Sequence, residues 1–121
     1  MPHLTLEYTA NLLSFDAAKA LAELNQVMVD TGLFHEPDIK SRAIRLDTFQ
    51  AGVLCEPRAF VHLTVGILSG RSPEERKRMA DALLPVLTAT VHSAFSGEIQ
   101  LSVETLEIDR PSYAKTIIHG R

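Results

Sequence analysis

Pro2 is the residue whose placement could do chemistry most directly. It follows Met1 in the opening stretch "MPHLTLEY", and an initiator methionine is ordinarily removed before so small a residue. The chain would then begin with a free secondary amine. An α-amino group ionises at about 7.7–8.0, near the range where a general base works best, and burial or neighbouring cations lower it further by disfavouring the ammonium form. A prolyl nitrogen is a somewhat stronger base and needs more of that tuning. Lys40, Arg42, Arg45, Arg58 and Arg71 are available to supply it. Lys40 and Arg42 stand two apart, so in a strand they share one face. Arg71 immediately precedes the helix start "SPEE", where backbone N–H groups and the positive end of the dipole also favour anions. The same cations could grip the carboxylates of an anionic substrate, arginine in bidentate fashion and lysine as a point charge.

Each of these residues has an ordinary alternative. The first position of a strand tolerates a proline without any chemistry, and a strand arginine is often a solvated or salt-bridged surface charge. His3 and His62 read as strand residues satisfied by neighbours, and Asp47 as a turn residue. Glu74, Glu75 and the run Arg76-Lys77-Arg78 read as the solvated first turns of a helix. No Ser/His/Asp set, phosphate loop or paired-carboxylate motif can be argued from spacing.

The elements that must position these groups follow from periodicity. In "HLTLEY", Leu4 and Leu6 alternate with Thr5 and Glu7, the pattern of a strand with one buried face. A helix is predicted next, capped by Ser14, with Ala17, Leu21, Leu24 and Met28 as its apolar stripe and Thr31-Gly32 as its stop. A second strand is predicted over about residues 38 to 49, "DIKSRAIRLDTF". Strand, helix and strand in that order imply a right-handed crossover between parallel strands.

The pattern then repeats. In "AFVHLTVGIL" the run His62-Leu63-Thr64-Val65 echoes His3-Leu4-Thr5-Leu6, which puts Val61 where the first unit has Pro2. Only one unit can offer a chain-terminal amine. Ser72, Pro73 and Glu75 make a capping box with proline at the first helical position. The helix is predicted to run to about Phe95, carrying Met79, Leu83, Val86 and Val91 and kinked at Pro85. A last strand alternates Ile99, Leu101 and Val103 with polar residues. The tail "DRPSYAKTIIHGR" is polar and irregular.

The expected fold is therefore α/β (α+β): a single domain over residues 1–121, with units at about 2–50 and 59–108. Two tandem β-α-β units form a four-stranded mixed sheet with both helices on one face. The other face, with His3, Thr5, His62 and Thr64, needs a cover, and a subunit interface is the natural one.

The 121 residues suit one modest core at 45% hydrophobic content. A formal charge of −3 and a pI near 5.9 give no basic field for a polyanion, so nucleic acid is not an expected partner. The single Cys55 excludes an intrachain disulfide and suits a reducing compartment. No apolar run approaches the roughly 18 residues of a membrane span, and no signal-peptide pattern opens the chain. A cytoplasmic protein that does not contact membrane is expected.

The ordered segments "MPH", "TGLF", "IKSRAIRLDTFQ", "AFVHLTV" and "SGRSPEERKRMADALL" resemble the tautomerase superfamily, and within it the 5-carboxymethyl-2-hydroxymuconate Δ-isomerase family of homoprotocatechuate (4-hydroxyphenylacetate) breakdown. They cover most of the chain from Pro2 to about Leu84. The resemblance implies a homotrimer without metal or organic cofactor, in which Pro2, exposed by loss of Met1, is the general acid/base. It also implies an anionic small-molecule substrate, a hydroxymuconate, anchored by Arg42 and Arg71, with Lys40 beside them and Phe49 lining the pocket. Lys40 stands where the family pattern carries arginine, so a bidentate clamp there becomes a single flexible charge. Two other readings stand beside this one: an enzyme of the same fold acting on another unsaturated acid, and a non-catalytic trimeric binding module.

Overall fold

In the computed structural model, which describes residues 1–91 and 95–120, the two predicted units are both present. The first comprises β1 (His3–Thr9), α1 (Ala17–Asp30) and β2 (Lys40–Leu46). The second comprises β3 (Arg58–Leu68), α2 (Pro73–Thr90) and β4 (Glu98–Ile108). The sheet order is β2-β1-β3-β4. Strands within each unit are parallel, and the units join through the antiparallel pair β1–β3. The echo between the units is a structural fact: Thr5 pairs with Thr64 across that junction, and Leu6 with Leu63.

Alternation then sorts the side chains. Leu4, Leu6, Val61, Leu63 and Val65 are fully buried beneath the helices, together with Leu24 and Met28 of α1 and Leu83 and Leu87 of α2. His3, Thr5, His62 and Thr64 take the opposite face, half-buried, and exposed Ile44 and Leu106 lie on that same face of the edge strands.

Several boundaries differ from expectation for local reasons. Asp16, not Ser14, caps α1, its carboxylate accepting from the Lys19 N–H at 3.1 Å. Residues 10–15 are taken up by tight turns through Leu12, which delays the helix. Strand β2 is shorter than expected. Glu36–Asp38 winds into a 3-10 turn around Pro37, and pairing with β1 runs out at Thr9–Leu46. The capping box at Ser72 and Glu75 forms as read from the sequence. Helix α2 continues through Pro85 and ends at Thr90; part of its expected extension, residues 92–94, lies outside the described residues. Its buried stripe is Met79, Leu83 and Leu87, with Val86 only partly covered.

Candidate active site

Pro2 is fully buried, as is Val61, its counterpart in the second unit. It is fixed by its backbone: the Lys40 N–H donates to the Pro2 carbonyl at 3.1 Å, extending the β1–β2 ladder by one bond. The missing prolyl N–H costs nothing there, because it falls beyond the last paired donor of the strand.

The start of the chain lines a cleft of about 160 Å³ whose walls include Met1, Phe34, Asp38, Leu68, Arg71 and Arg110. The loop between β3 and α2 brings Arg71 there. Its guanidinium lies 4.8 Å from the Phe34 ring centroid, donates to the Leu33 carbonyl at 3.3 Å and approaches Glu75 at 3.6 Å. Stacking, a carbonyl and a carboxylate thus hold one orientation of a side chain that would otherwise sample many.

Burial pushes the Met1 amine below its ordinary 8.0. The charge of Lys40 adds to that effect and Lys115 acts in the same direction, while Asp38 opposes them. Desolvation and nearby cations both penalise the ammonium, so this corner of the fold favours a neutral amine. His3 is likewise held below 6.5, by burial first and then by Arg42 and Lys40.

The expected site residues separate spatially. Arg71 shares the cleft with Met1. Lys40 lies at its flank, donating to the Asp38 carbonyl at 2.6 Å. It lines an adjoining, broader cleft of about 710 Å³ with Lys115, Ile117, Ile118 and His119 of the tail. Asp38 and His35 border both spaces. Arg42 is exposed on the outer sheet face, donating to His3 Nδ1 at 2.8 Å. Phe49 is in edge contact with Phe60, beyond the other end of β2. At about 3.3 Å per strand residue that end is roughly 20 Å from Pro2. Arg45 and Arg58, the other two of the five cations singled out in the sequence, are paired with Asp47 and with Glu56 and Glu98. Among the described residues, no group of His, Cys, Asp and Glu is arranged to hold a metal ion, and no helix is long and apolar enough to cross a membrane.

The tail contributes what the sequence did not suggest. Arg110 opens a 3-10 turn, its N–H donating to Ser69 Oγ and its Nε to the Ser69 carbonyl, both at 3.2 Å. Lys115 pairs with Asp38 at 2.7 Å, and Tyr113 Oη lies 3.3 Å from His3 Nε2. A signal existed in "DRPS", a turn-forming stretch with proline where a 3-10 turn accepts it.

A model of the 5-carboxymethyl-2-hydroxymuconate isomerase family matches residues 2–121. The chain is 31% identical over 110 residues to the 5-carboxymethyl-2-hydroxymuconate Delta-isomerase of Escherichia coli, covering 90% of this chain and 86% of that one. A crystal structure of a 5-carboxymethyl-2-hydroxymuconate isomerase from Deinococcus radiodurans superposes with a TM-score of 0.87 at 38% identity, covering 95% and 88% of the two chains. A fused 4-OT described as a symmetric trimer shares the fold, with a TM-score of 0.73 at 15% identity over 93% and 90% of the chains.

Proposed function

The chain belongs to the 5-carboxymethyl-2-hydroxymuconate isomerase family, and from its isomerase character we propose a specific reaction and mechanism. The substrate is 5-carboxymethyl-2-hydroxymuconate itself, as in homoprotocatechuate breakdown, and Pro2, exposed by loss of Met1, is the acid/base. The observation that carries this reading is the cleft at the start of the chain, lined by Met1 and Arg71, where the Met1 amine is kept below its ordinary pKa. Loss of Met1 passes that terminal position to Pro2, whose carbonyl is tied to the Lys40 N–H.

The neutral Pro2 nitrogen takes the proton of the 2-hydroxyl. The O–H electron pair becomes the C2 carbonyl, the C2=C3 pair shifts to C3=C4, and the C4=C5 pair forms the new C5–H bond with the proton that the prolyl ammonium returns. The product is the 2-oxo-3-ene isomer. Proton and charge balance within the substrate and Pro2, so no co-reactant enters. Arg71 stabilises the negative charge that spreads over the dienolate and its neighbouring carboxylate. Lys40, at the flank, supplies a point charge to the same anion and disfavours protonated Pro2.

Arg42 and Phe49 act in this proposal across subunit boundaries, in a homotrimer built on the outer sheet face. Arg42 projects from that face, and Phe49 lies too far from the Pro2 of its own chain to line the cleft there. The test is the ultraviolet progress curve for 5-carboxymethyl-2-hydroxymuconate, run with untagged protein whose intact mass shows loss of Met1. Rapid turnover is expected; none by the processed protein would refute the assignment.

A further inference from the structure

We propose that Arg110 is a specificity-determining residue of the cleft, binding one carboxylate of a tricarboxylate substrate. The inference rests on the substrate class proposed above and deepens it. A muconate is a dicarboxylate, and a carboxymethyl branch adds a third anionic group. A cleft selective for that branch therefore needs one cation more than a plain muconate requires.

Around the start of the chain stand Arg71 and Arg110 in the cleft wall, with Lys40 and Lys115 at its flank, the last already paired with Asp38. Arg110 has no carboxylate within salt-bridge distance among the described residues, whereas Arg71, the other arginine of the cleft wall, is held against Glu75. Arg45, Arg58, Arg76, Lys77 and Lys115 are paired as well. An uncompensated guanidinium in a cleft wall is available to a ligand anion at a lower cost than one that must first release a protein carboxylate.

Arg110 is also pre-positioned. Its Nε and its backbone N–H are both tied to Ser69, whose own N–H donates to the Ile108 carbonyl at 2.8 Å. Ser69 lies two residues before Arg71, so one loop orients both guanidinium groups, one through the chain and the other through hydrogen bonds. Anchoring at Nε leaves the terminal guanidinium nitrogens, the pair suited to a carboxylate, free of that tie. Such restraint reduces the ordering that binding would otherwise require.

The experiment compares wild type, Arg110→Gln and Arg110→Lys on 5-carboxymethyl-2-hydroxymuconate and on 2-hydroxymuconate, which lacks the third carboxylate. For Arg110→Gln the ratio of kcat/KM values, tricarboxylate over dicarboxylate, is expected to fall about tenfold, consistent with loss of one charged hydrogen-bonding partner. The loss falls mainly on KM, and Arg110→Lys recovers part of it. A glutamine amide can still donate to Ser69, and an unchanged melting temperature shows that the tail remains docked. A second readout needs no turnover: calorimetric binding of tricarballylate and glutarate. Arg110→Gln is expected to weaken tricarballylate about tenfold more than glutarate. An unchanged tricarboxylate preference in binding overturns the role of Arg110. Wild-type protein that turns over neither muconate while preferring tricarballylate overturns the proposed reaction and leaves the Arg110 contact standing.

Discussion

Arg42 and Glu104 occupy equivalent positions in the two β-α-β units and carry opposite charges. Arg42 is the partner of Thr5 in the β1–β2 register, and Glu104 is the partner of Thr64 in β3–β4. Each reaches the histidine two residues before that threonine. Arg42 lies 2.8 Å from His3 Nδ1, whereas His62 Nε2 lies 2.8 Å from Glu104, with Ser102 on its other nitrogen. A repeated backbone thus presents two histidines in opposite electrostatic settings, and only the first lies beside the start of the chain.

His3 should accordingly titrate below 6.5, and Arg42→Gln should bring it closer to that value, because Arg42 is the largest of the charges that depress it. NMR titration of the ring protons reads this directly. The linkage has a definite sign. Above about 6.5 the stability contributed by neutral His3 is fully present. As pH falls below that value the unfolded chain takes up the proton first, and stability drains until the folded-state pKa is reached. Denaturant unfolding at pH 7.5 and 5.5 should therefore show a smaller loss for His3→Asn than for wild type. Equal losses would place the acid sensitivity elsewhere.

Retaining Met1 should abolish most of the isomerase activity. General acid–base catalysis contributes typically 10²–10⁴-fold, and a Pro2 nitrogen locked in a peptide bond is no longer a base. The expected drop in kcat/KM is of that order, with unchanged melting and unchanged sheet structure. The check is parallel kinetics on processed and unprocessed protein separated by mass. Equal activity would make Pro2 simply the start of a strand.

Lys40→Gln should move the pH profile of kcat/KM to higher pH. Lys40 is the leading charge among the causes that depress the Met1 amine, and loss of Met1 passes that terminal position to Pro2, whose carbonyl the Lys40 N–H already holds. Removing it favours the ammonium, raises the pKa and lowers the fraction of neutral base at pH 7. The ascending limb therefore shifts upward while the plateau at high pH changes less. A lower plateau with an unshifted limb would mean that Lys40 binds substrate without tuning the base.

Arg71→Ala should cost about 10- to 100-fold in kcat/KM, the scale of a charged hydrogen bond worth roughly 1.5–3 kcal/mol. Arg71→Lys should recover little of it, because an ammonium cannot reproduce both the stack on Phe34 and a bidentate grip. Steady-state kinetics of the two variants decides this. Wild-type values in Arg71→Ala would remove Arg71 from the site, and wild-type values in Arg71→Lys alone would show that a point charge suffices there.

The local halves of this fold were legible because they are periodic. Alternation in "HLTLEY" and the capping box at Ser72 each report on neighbours a few residues away, and both appear in the structure as read. Arg110 was not legible. Its approach to the start of the chain depends on β4 lying parallel to β3 and on hydrogen bonds to Ser69, neither of which leaves a mark in the spacing of "DRPS". Lys40 and Arg42 show the limit in the other direction. The period-two rule placed them on one face, but not the divergence of their contacts, Lys40 to the Asp38 carbonyl and Arg42 to His3.

The two faces of the sheet should respond differently to substitution, and this contrast tests the proposed assembly. Leu63 is fully buried beneath the helices, so Leu63→Ala should cost about 2–5 kcal/mol of stability, the range for a buried leucine truncated to alanine. Its effect belongs to the core of each chain, and the oligomeric mass by light scattering should remain that of a trimer at temperatures where the variant is folded. Leu106 lies on the outer face and is 50% exposed in the single chain. Leu106→Glu puts a charge where a second copy is proposed to pack, at a position with little to lose within its own chain. It should lower the mass toward that of a monomer and reduce activity with it, because Arg42 and Phe49 then have no neighbouring cleft to reach. A Leu106→Glu protein that keeps the trimer mass would place the interface on another surface.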